Sequence, residues 1–330
     1  NAGTIELVDI DSSWGALLIV TNGTLTNTGT IDVLAGANGT RLLNAQLDNQ
    51  GIINIGKDMT SNTGGTDHVN SGAIHITAGT TTFSQGVPTP TFTNSGMIDV
   101  LAGANLRIVG GGTYVQTSGA TQVDGGMELS GTAFEIQAGD LAGSGTVTSN
   151  VVVNNSGGVA APGNSAGTLT INAVYSAGAA SSYEVELGGL APAQFDRLLL
   201  SGTAALNGTI DVATIDSFVP FYGNTFIVMT FPSRTGAFAN RVFQPLGGGL
   251  AFRTRHNPTN VTVLVVRPGD LNCDSAVTLS DVPSFVQLLI NPAGYAVSNP
   301  GCEVFNGDFN ADERTDGHDV QGFVDLLVGA

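Results

Sequence analysis

Residues 25–38 read LTNTGTIDVLAGAN, and residues 92–105 read FTNSGMIDVLAGAN, nearly the same phrase 67 residues further on. The echo belongs to a shorter period. A pattern Asn-x-Gly-x-Ile-x-Val/Ile runs through Asn27, Gly29, Ile31 and Val33, then Asn49, Gly51, Ile53 and Ile55. It returns at Asn70, Gly72, Ile74 and Ile76, at Asn94, Gly96, Ile98 and Val100, and in weakened form at Thr117, Gly119, Thr121 and Val123. The glycines are spaced 22, 21, 24 and 23 residues apart, so the 67-residue echo spans three periods. A period near 22 with strand chemistry is the signature of stacked coils. A leucine-rich repeat has a similar length, but its Leu/Asn signature is absent.

The pattern predicts a mainly β fold, a right-handed parallel β-solenoid with a coil of about 22 residues whose rungs repeat at ~4.8 Å. Alternation along each strand turns the Ile and Val inward. It turns Asp32, Asn54, His75, Asp99 and Gln122 outward as a polar row. The Asn column predicts a ladder of stacked amides at a corner. The glycine two residues later is expected to supply a positive φ there.

Composition agrees. Of 330 residues 46 are Gly, only 11% are charged and 42% are hydrophobic, which disfavours helix and disorder and allows a sizeable core. Net charge is −17, with Lys57 the single lysine. Such a chain lacks the basic footprint of a nucleic-acid binder and is repelled by anionic membranes. No run of 18 apolar residues suggests a membrane span. The chain begins at Asn1 without Met and reads as a processed mature chain or a fragment, with extracellular or cell-surface localisation expected. Cys273 and Cys302 are two free thiols or, as an export context favours, a disulfide. Closing that loop stabilises the region by roughly 3–4 kcal/mol on a chain-entropy argument.

After residue 125 the pattern loosens. Pro162-Gly163, Gly167-Thr168-Leu169-Thr170-Ile171, Glu186-Leu187-Gly188-Gly189 and Asp196-Arg197-Leu198 give the stretch from 141 to about 231 a resemblance to autotransporter-passenger β-helices. This covers about a quarter of the chain, and no membrane barrel follows, so the autotransporter secretion route is not implied. Residues 249–266 read as a closing hairpin turning at His256–Thr259, with Arg267-Pro268-Gly269 as a linker. The expected domains are 1–268 and 269–330.

In the second of these, two 12-residue stretches, DLNCDSAVTLSD (270–281) and DFNADERTDGHD (308–319), each precede an amphipathic helical run, 282–290 and 320–328. Oxygens at loop positions 1, 3, 5, 7, 9 and 12 are what a hard cation takes from an EF-hand-like loop. In the first loop these are Asp270, Asn272, Asp274, the Ala276 carbonyl, Thr278 and Asp281. In the second they are Asp308, Asn310, Asp312, the Arg314 carbonyl, Asp316 and Asp319. Two calcium sites are expected. The paired loops with a closing Asp resemble type I dockerin modules over about 60 residues. Three features depart from that pattern. Position 6 is Ser275 or Glu313 instead of Gly. The insert carries Cys302. Positions 10 and 11, through which dockerins read their cohesin partner, are Leu279-Ser280 and Gly317-His318.

Catalytic constellations are weak. Of the four histidines, His68, His75, His256 and His318, the first two lie on neighbouring coil turns without a Cys or Glu cluster and are expected as surface residues. Asp32 and Asp99 share a column three rungs apart, ~14 Å, beyond the ~5–9.5 Å of glycosidase carboxylates. Arg107 is placed with Asp99 on one coil without a second acid or base, and Asp196-Arg197 is expected to be structural. The sequons at Asn22, Asn38, Asn154, Asn207 and Asn260 are no more than this composition produces. The expected function is structural or adhesive, an extracellular surface protein or fibre subunit that self-associates head to tail or binds another surface protein. Its tail is expected to dock on its own chain or the next. The alternatives are an anchoring protein binding a cohesin-like receptor and a polysaccharide-processing β-helix enzyme.

Overall fold

A computed structural model describes residues 1–11, 14–37, 39–87 and 89–329. The chain is mostly strand and forms a parallel β-solenoid of about nine turns with a repeat of about 23 residues, followed by small C-terminal helices. Each regular turn lays one short strand on each of three faces. One turn, for example, runs Ala73–Ile76, Thr80–Ser84 and Thr91–Asn94, and the next runs Met97–Val100, Asn105–Val109 and Thr113–Gln116. The first face is an eleven-stranded sheet. The other two are joined into one sheet by the long strands Ala16–Asn27 and Arg41–Asn49, which bend across both.

On the first face Ile5, Ile31, Ile53, Ile74 and Ile98 pair rung to rung in a single inward column, beside Leu7, Val33, Ile55, Ile76 and Val100. The four isoleucines from Ile31 to Ile98 are fully buried. The repeat thus extends one turn further towards the N-terminus than the Asn27 copy, through Asn1, Gly3, Ile5 and Leu7. The 26-residue spacing to Asn27 had hidden it. The outward row Asp32, Asn54, His75, Asp99 and Gln122 lies in register as expected, but its last member is covered, Gln122 being buried with its amide on Asp124 and Asn164.

The amide ladder exists. Asn1 Nδ2 donates to Asn27 Oδ1 at 2.8 Å, Asn27 to Asn49 at 2.7 Å, Asn49 to Asn70 at 2.7 Å and Asn70 to Asn94 at 2.8 Å. Each amide also donates to a carbonyl on a neighbouring rung, as Asn49 does to Ala73 O at 3.1 Å. At the next rung the column is continued by Gln116, the partner of Asn94, and not by Thr117. One extra residue at this corner displaces the weakened copy. Thr121 takes the Ile position in the column, and its hydroxyl bonds Tyr114 Oη and Gln116 Oε1. The sequence weakens here because a buried polar cluster replaces an aliphatic.

The corner glycines have a different cause from the one expected. Gly29, Gly51, Gly72 and Gly96 lie outside the positive-φ region. At each of them a Cβ would overlap the carbonyl oxygen of the glycine one rung before, Gly3, Gly29, Gly51 and Gly72 respectively. Close approach of stacked turns, rather than handedness of the backbone, demands glycine in this column.

His68 is another correction. It points inward, is 1% exposed, and stands in a ring column with Phe92, Tyr114 and Phe134, with centroid separations of 5.7, 5.6 and 4.9 Å. Its strand, His68–Asn70, carries the alternation in the opposite phase to a surface histidine. Arg107 and Asp99 lie on one turn as expected, and Arg107 pairs with Glu128 of the next rung at 2.8 Å.

The parallel ladder ends where Asn260–Val266 runs antiparallel to both Thr225–Thr230 and Ala251–His256. Beyond it come α1 (Val282–Ile290), α2 (Pro292–Ser298) and α3 (Val320–Val328). Helices α1 and α3 match the two predicted runs, and α2 fills the insert. Leu271, Phe285, Leu288, Tyr295 and Phe323 form a second core, separate from that of the solenoid. A third cluster, Leu264, Val266 and Phe305, lies where the hairpin meets the tail. The segment 267–269 is tied down there. Arg267 N donates to Asn306 Oδ1, Gly269 N to Asn306 O, and Asn306 Nδ2 to Asp270 O. Among the described residues no helix is long and apolar enough to cross a membrane.

Candidate metal centre

The two 12-residue loops are near copies in space. At position 12, Asp281 Oδ1 accepts from Leu271 N and Asn272 N, and Oδ2 accepts from Thr278 N. Asp319 does the same with Phe309 N, Asn310 N and Asp316 N. At position 3, Asn272 Oδ1 accepts from Asp274 N and Asn310 Oδ1 from Asp312 N, both at 3.0 Å. At position 5, Asp274 Oδ1 accepts from Ala276 N and Asp312 Oδ1 from Arg314 N, both at 2.9 Å. At position 9, Thr278 and Asp316 cap the single turns that lead into α1 and α3. Position 4, Cys273 or Ala311, and position 6, Ser275 or Glu313, have φ between 58 and 71°. The expected sharp turn is therefore made, but by residues with a Cβ.

This winding puts carboxylates in the interior. Asp270 is 3% exposed, and Asp281, Asp308 and Asp319 are fully buried. Burial pushes the Asp308 carboxyl up to about 6, against the pull of the Glu313 and Asp312 amides and of Arg253. Burial also raises Asp270, helped by the neighbouring Asp281. One buried oxygen, Asp270 Oδ1, has no hydrogen-bond partner, and Arg267 Nε approaches the other at 3.7 Å. Buried anions in such number are costly without a cation or full hydrogen bonding. The carboxylates face the loop amides, and among the described residues no three His, Cys, Asp or Glu side chains are gathered into a metal-type cluster. The donor set is all oxygen, which suits a hard cation and not a thiophilic one.

The disulfide Cys273–Cys302 forms, with Cα atoms 5.8 Å apart, and ties the first loop to the segment ahead of the second. Sequence reasoning did not find the groups that join the tail to the solenoid. Glu313 accepts from His256 N (2.9 Å), Arg241 Nη2 (3.0 Å) and Thr254 Oγ1 (3.0 Å), and its carboxylate also meets His256 Nδ1. Burial works to raise this carboxyl, but the bonds from His256 and Arg241 prevail and hold it at about 2. Arg253 Nε donates to Asp308 O at 2.8 Å, Arg255 pairs with Glu303 at 2.9 Å, and the Arg255 guanidinium lies 4.8 Å from the Phe305 ring centroid. The one available signal was the missing glycine at loop position 6.

Elsewhere the outer surface carries a shallow groove of about 350 Å³ lined by Thr80, Asn105, Arg107, Gly126, Glu128 and Thr148. Glu128, its carboxylate, is already held by Arg107 through two bonds. Asp196 is structural in its contacts, accepting from Gly167 N and Glu186 N at 2.8 Å each. In comparisons with known proteins, no family model and no curated protein sequence matches this chain.

Proposed function

We propose that the chain is an extracellular structural or adhesive protein, a stiff solenoid whose C-terminal module folds around two calcium ions and sits over the last turn. The observation that carries this reading is the unpartnered, buried Asp270 Oδ1 inside a loop whose oxygens at positions 3, 5 and 12 accept hydrogen bonds from its own backbone amides. Asp270, Asn272, Asp274, the Ala276 carbonyl, Thr278 and Asp281 would hold one ion, and Asp308, Asn310, Asp312, the Arg314 carbonyl, Asp316 and Asp319 the other. A hard dication supplies the positive charge these buried carboxylates lack. The resemblance of the tail to dockerin modules, and of 141–231 to autotransporter passengers, supports the same reading.

Self-association is part of the proposal. The rungs pair in parallel register, as Thr4–Leu7 does with Thr30–Val33, and a second copy that adds a rung extends the same ladder. Titration calorimetry with calcium, and electron microscopy of purified protein with and without EDTA, test the reading. Two bound ions and particles or fibres that change on chelation are expected. No calcium binding and unchanged assembly would remove it. A second reading, anchoring to a cohesin-like receptor, is favoured by the free position-10 side chain of the first loop, Leu279, which is 77% exposed. A calcium-dependent pull-down with such a receptor domain distinguishes the two.

A further inference from the structure

The two loops differ in what surrounds them, and the difference assigns them different roles. The first loop meets the solenoid through looser contacts, Tyr222 Oη at 3.4 Å from Cys273 Sγ and Arg267 Nε at 3.7 Å from Asp270 Oδ2. The second is built into the joint. Its first residue, Asp308, gives its carbonyl to buried Arg253, and its sixth, Glu313, gives both carboxylate oxygens to the hairpin and to Arg241. Glu313 takes a left-handed backbone, φ 71°, as Ser275 does in the first loop, and in the wound loop this conformation brings its side chain to His256. The loop must therefore be fully wound for Glu313 to reach His256.

We propose that cation binding by the second loop and seating of the tail on the last turn are one coupled equilibrium, with Glu313 and Arg253 as the coupling residues, while the first loop binds its cation independently of docking. The proposal rests on the calcium reading above. By linkage, an ion that holds the loop wound strengthens docking, and docking raises the affinity of the loop by the same factor. Glu313 thus gives the non-glycine residue of the second loop a role. The position gives up the residue best suited to the turn and gains a carboxylate that spans two cores.

The test uses the full chain. Calcium titrations are run on the wild type, Asp274→Ala, Asp312→Ala and Glu313→Gly, and hydrogen exchange is followed at the His256 amide and across Ala251–His256 in calcium and in EGTA. Glu313→Gly keeps the left-handed backbone unstrained and removes only the clasp. It is expected to weaken the second site tenfold or more and leave the first within about twofold. Asp312→Ala and EGTA are expected to raise exchange at His256, while Asp274→Ala is not. Unchanged protection of Ala73–Ile76 serves as the folding control. Two bound ions with a Glu313→Gly second site of wild-type affinity, or with a His256 amide indifferent to EGTA, overturn the coupling and leave the calcium reading standing. No bound ion in the wild type overturns both.

Discussion

The carboxylate of Glu313 accepts a hydrogen bond from the backbone N–H of His256 at 2.9 Å across 57 residues of chain. One end of this bond belongs to the core of the helical tail and the other to the last strand pair of the solenoid. With Arg241 and Thr254 on the same carboxylate, a single side chain carries much of the polar connection between the two.

Glu313→Ala leaves Arg241 and the His256 amide facing an empty site. Removing one partner of a largely buried charged pair costs about 3–5 kcal/mol. Denaturant unfolding is expected to show the tail melting at lower concentration than the solenoid, where the wild type shows the two closer together. A single unshifted transition in the variant contradicts this.

Asn70→Ala interrupts the amide ladder in its middle. The Asn49 amide loses its Asn70 Oδ1 acceptor, and Asn94 Oδ1 and Met97 O lose their donor. Each buried polar group left unpaired costs about 1–3 kcal/mol. A fall of several degrees in the solenoid melting temperature is expected, much larger than for Asn54→Ala on the outward row, read by circular dichroism at β wavelengths.

Gly72→Ala forces a methyl group against the carbonyl of Gly51. The stack relieves this only by separating two turns, so the loss is at least the ~1–3 kcal/mol of ordinary overpacking. Gly103, where a Cβ meets nothing, is the control. Its positive φ of 84° makes Gly103→Asn the milder substitution to compare by thermal melting.

Two buried groups give opposite pH slopes. Burial among the rings lowers His68 to about 4, so the folded state resists its protonation. Its contribution is present above the unfolded value near 6.5 and is lost as pH falls towards 4. Burial raises Asp196 to about 7 despite the Glu186 and Gly167 amides. Its contribution is present below the unfolded value near 3.8 and is lost as pH rises through 7. Between pH 4 and 6.5 the two oppose each other. Stability measured across that window is expected to slope downward with pH in His68→Gln and upward in Asp196→Asn, relative to wild type. Matching slopes in both variants would rule out these assignments.

Reduction of Cys273–Cys302 removes the closure of a loop of about 30 residues, worth roughly 3–4 kcal/mol. The tail is expected to unfold at lower temperature under a thiol reductant, while the solenoid transition stays in place. Calorimetric scans with and without reductant read both.

The inward Ile column, the amide ladder, the outward polar row and the two loop–helix units were legible along the chain, because each depends on local alternation or on a short recurrence. Ile53 faces inward for reasons contained within a few residues of it, and its copies at Ile31 and Ile74 make the stacking evident. The N-terminal turn at Asn1, Gly3 and Ile5 carried the same pattern and was masked only by a longer spacing. His68 escaped because an isolated histidine gives no periodicity of its own, and its inward phase follows from pairing with Phe92 one turn away.

What only the tertiary structure decided are the contacts made between segments that sequence spacing does not relate. Gly51 needs its missing side chain because of where the neighbouring turn lies, and not because of its own φ. Glu313 looks like a poor choice for a tight loop until His256 and Arg241 are beside it. Local chemistry determines which way a side chain faces along its own strand or loop. What it then meets depends on how distant turns stack, and that information exists only once the chain is closed upon itself.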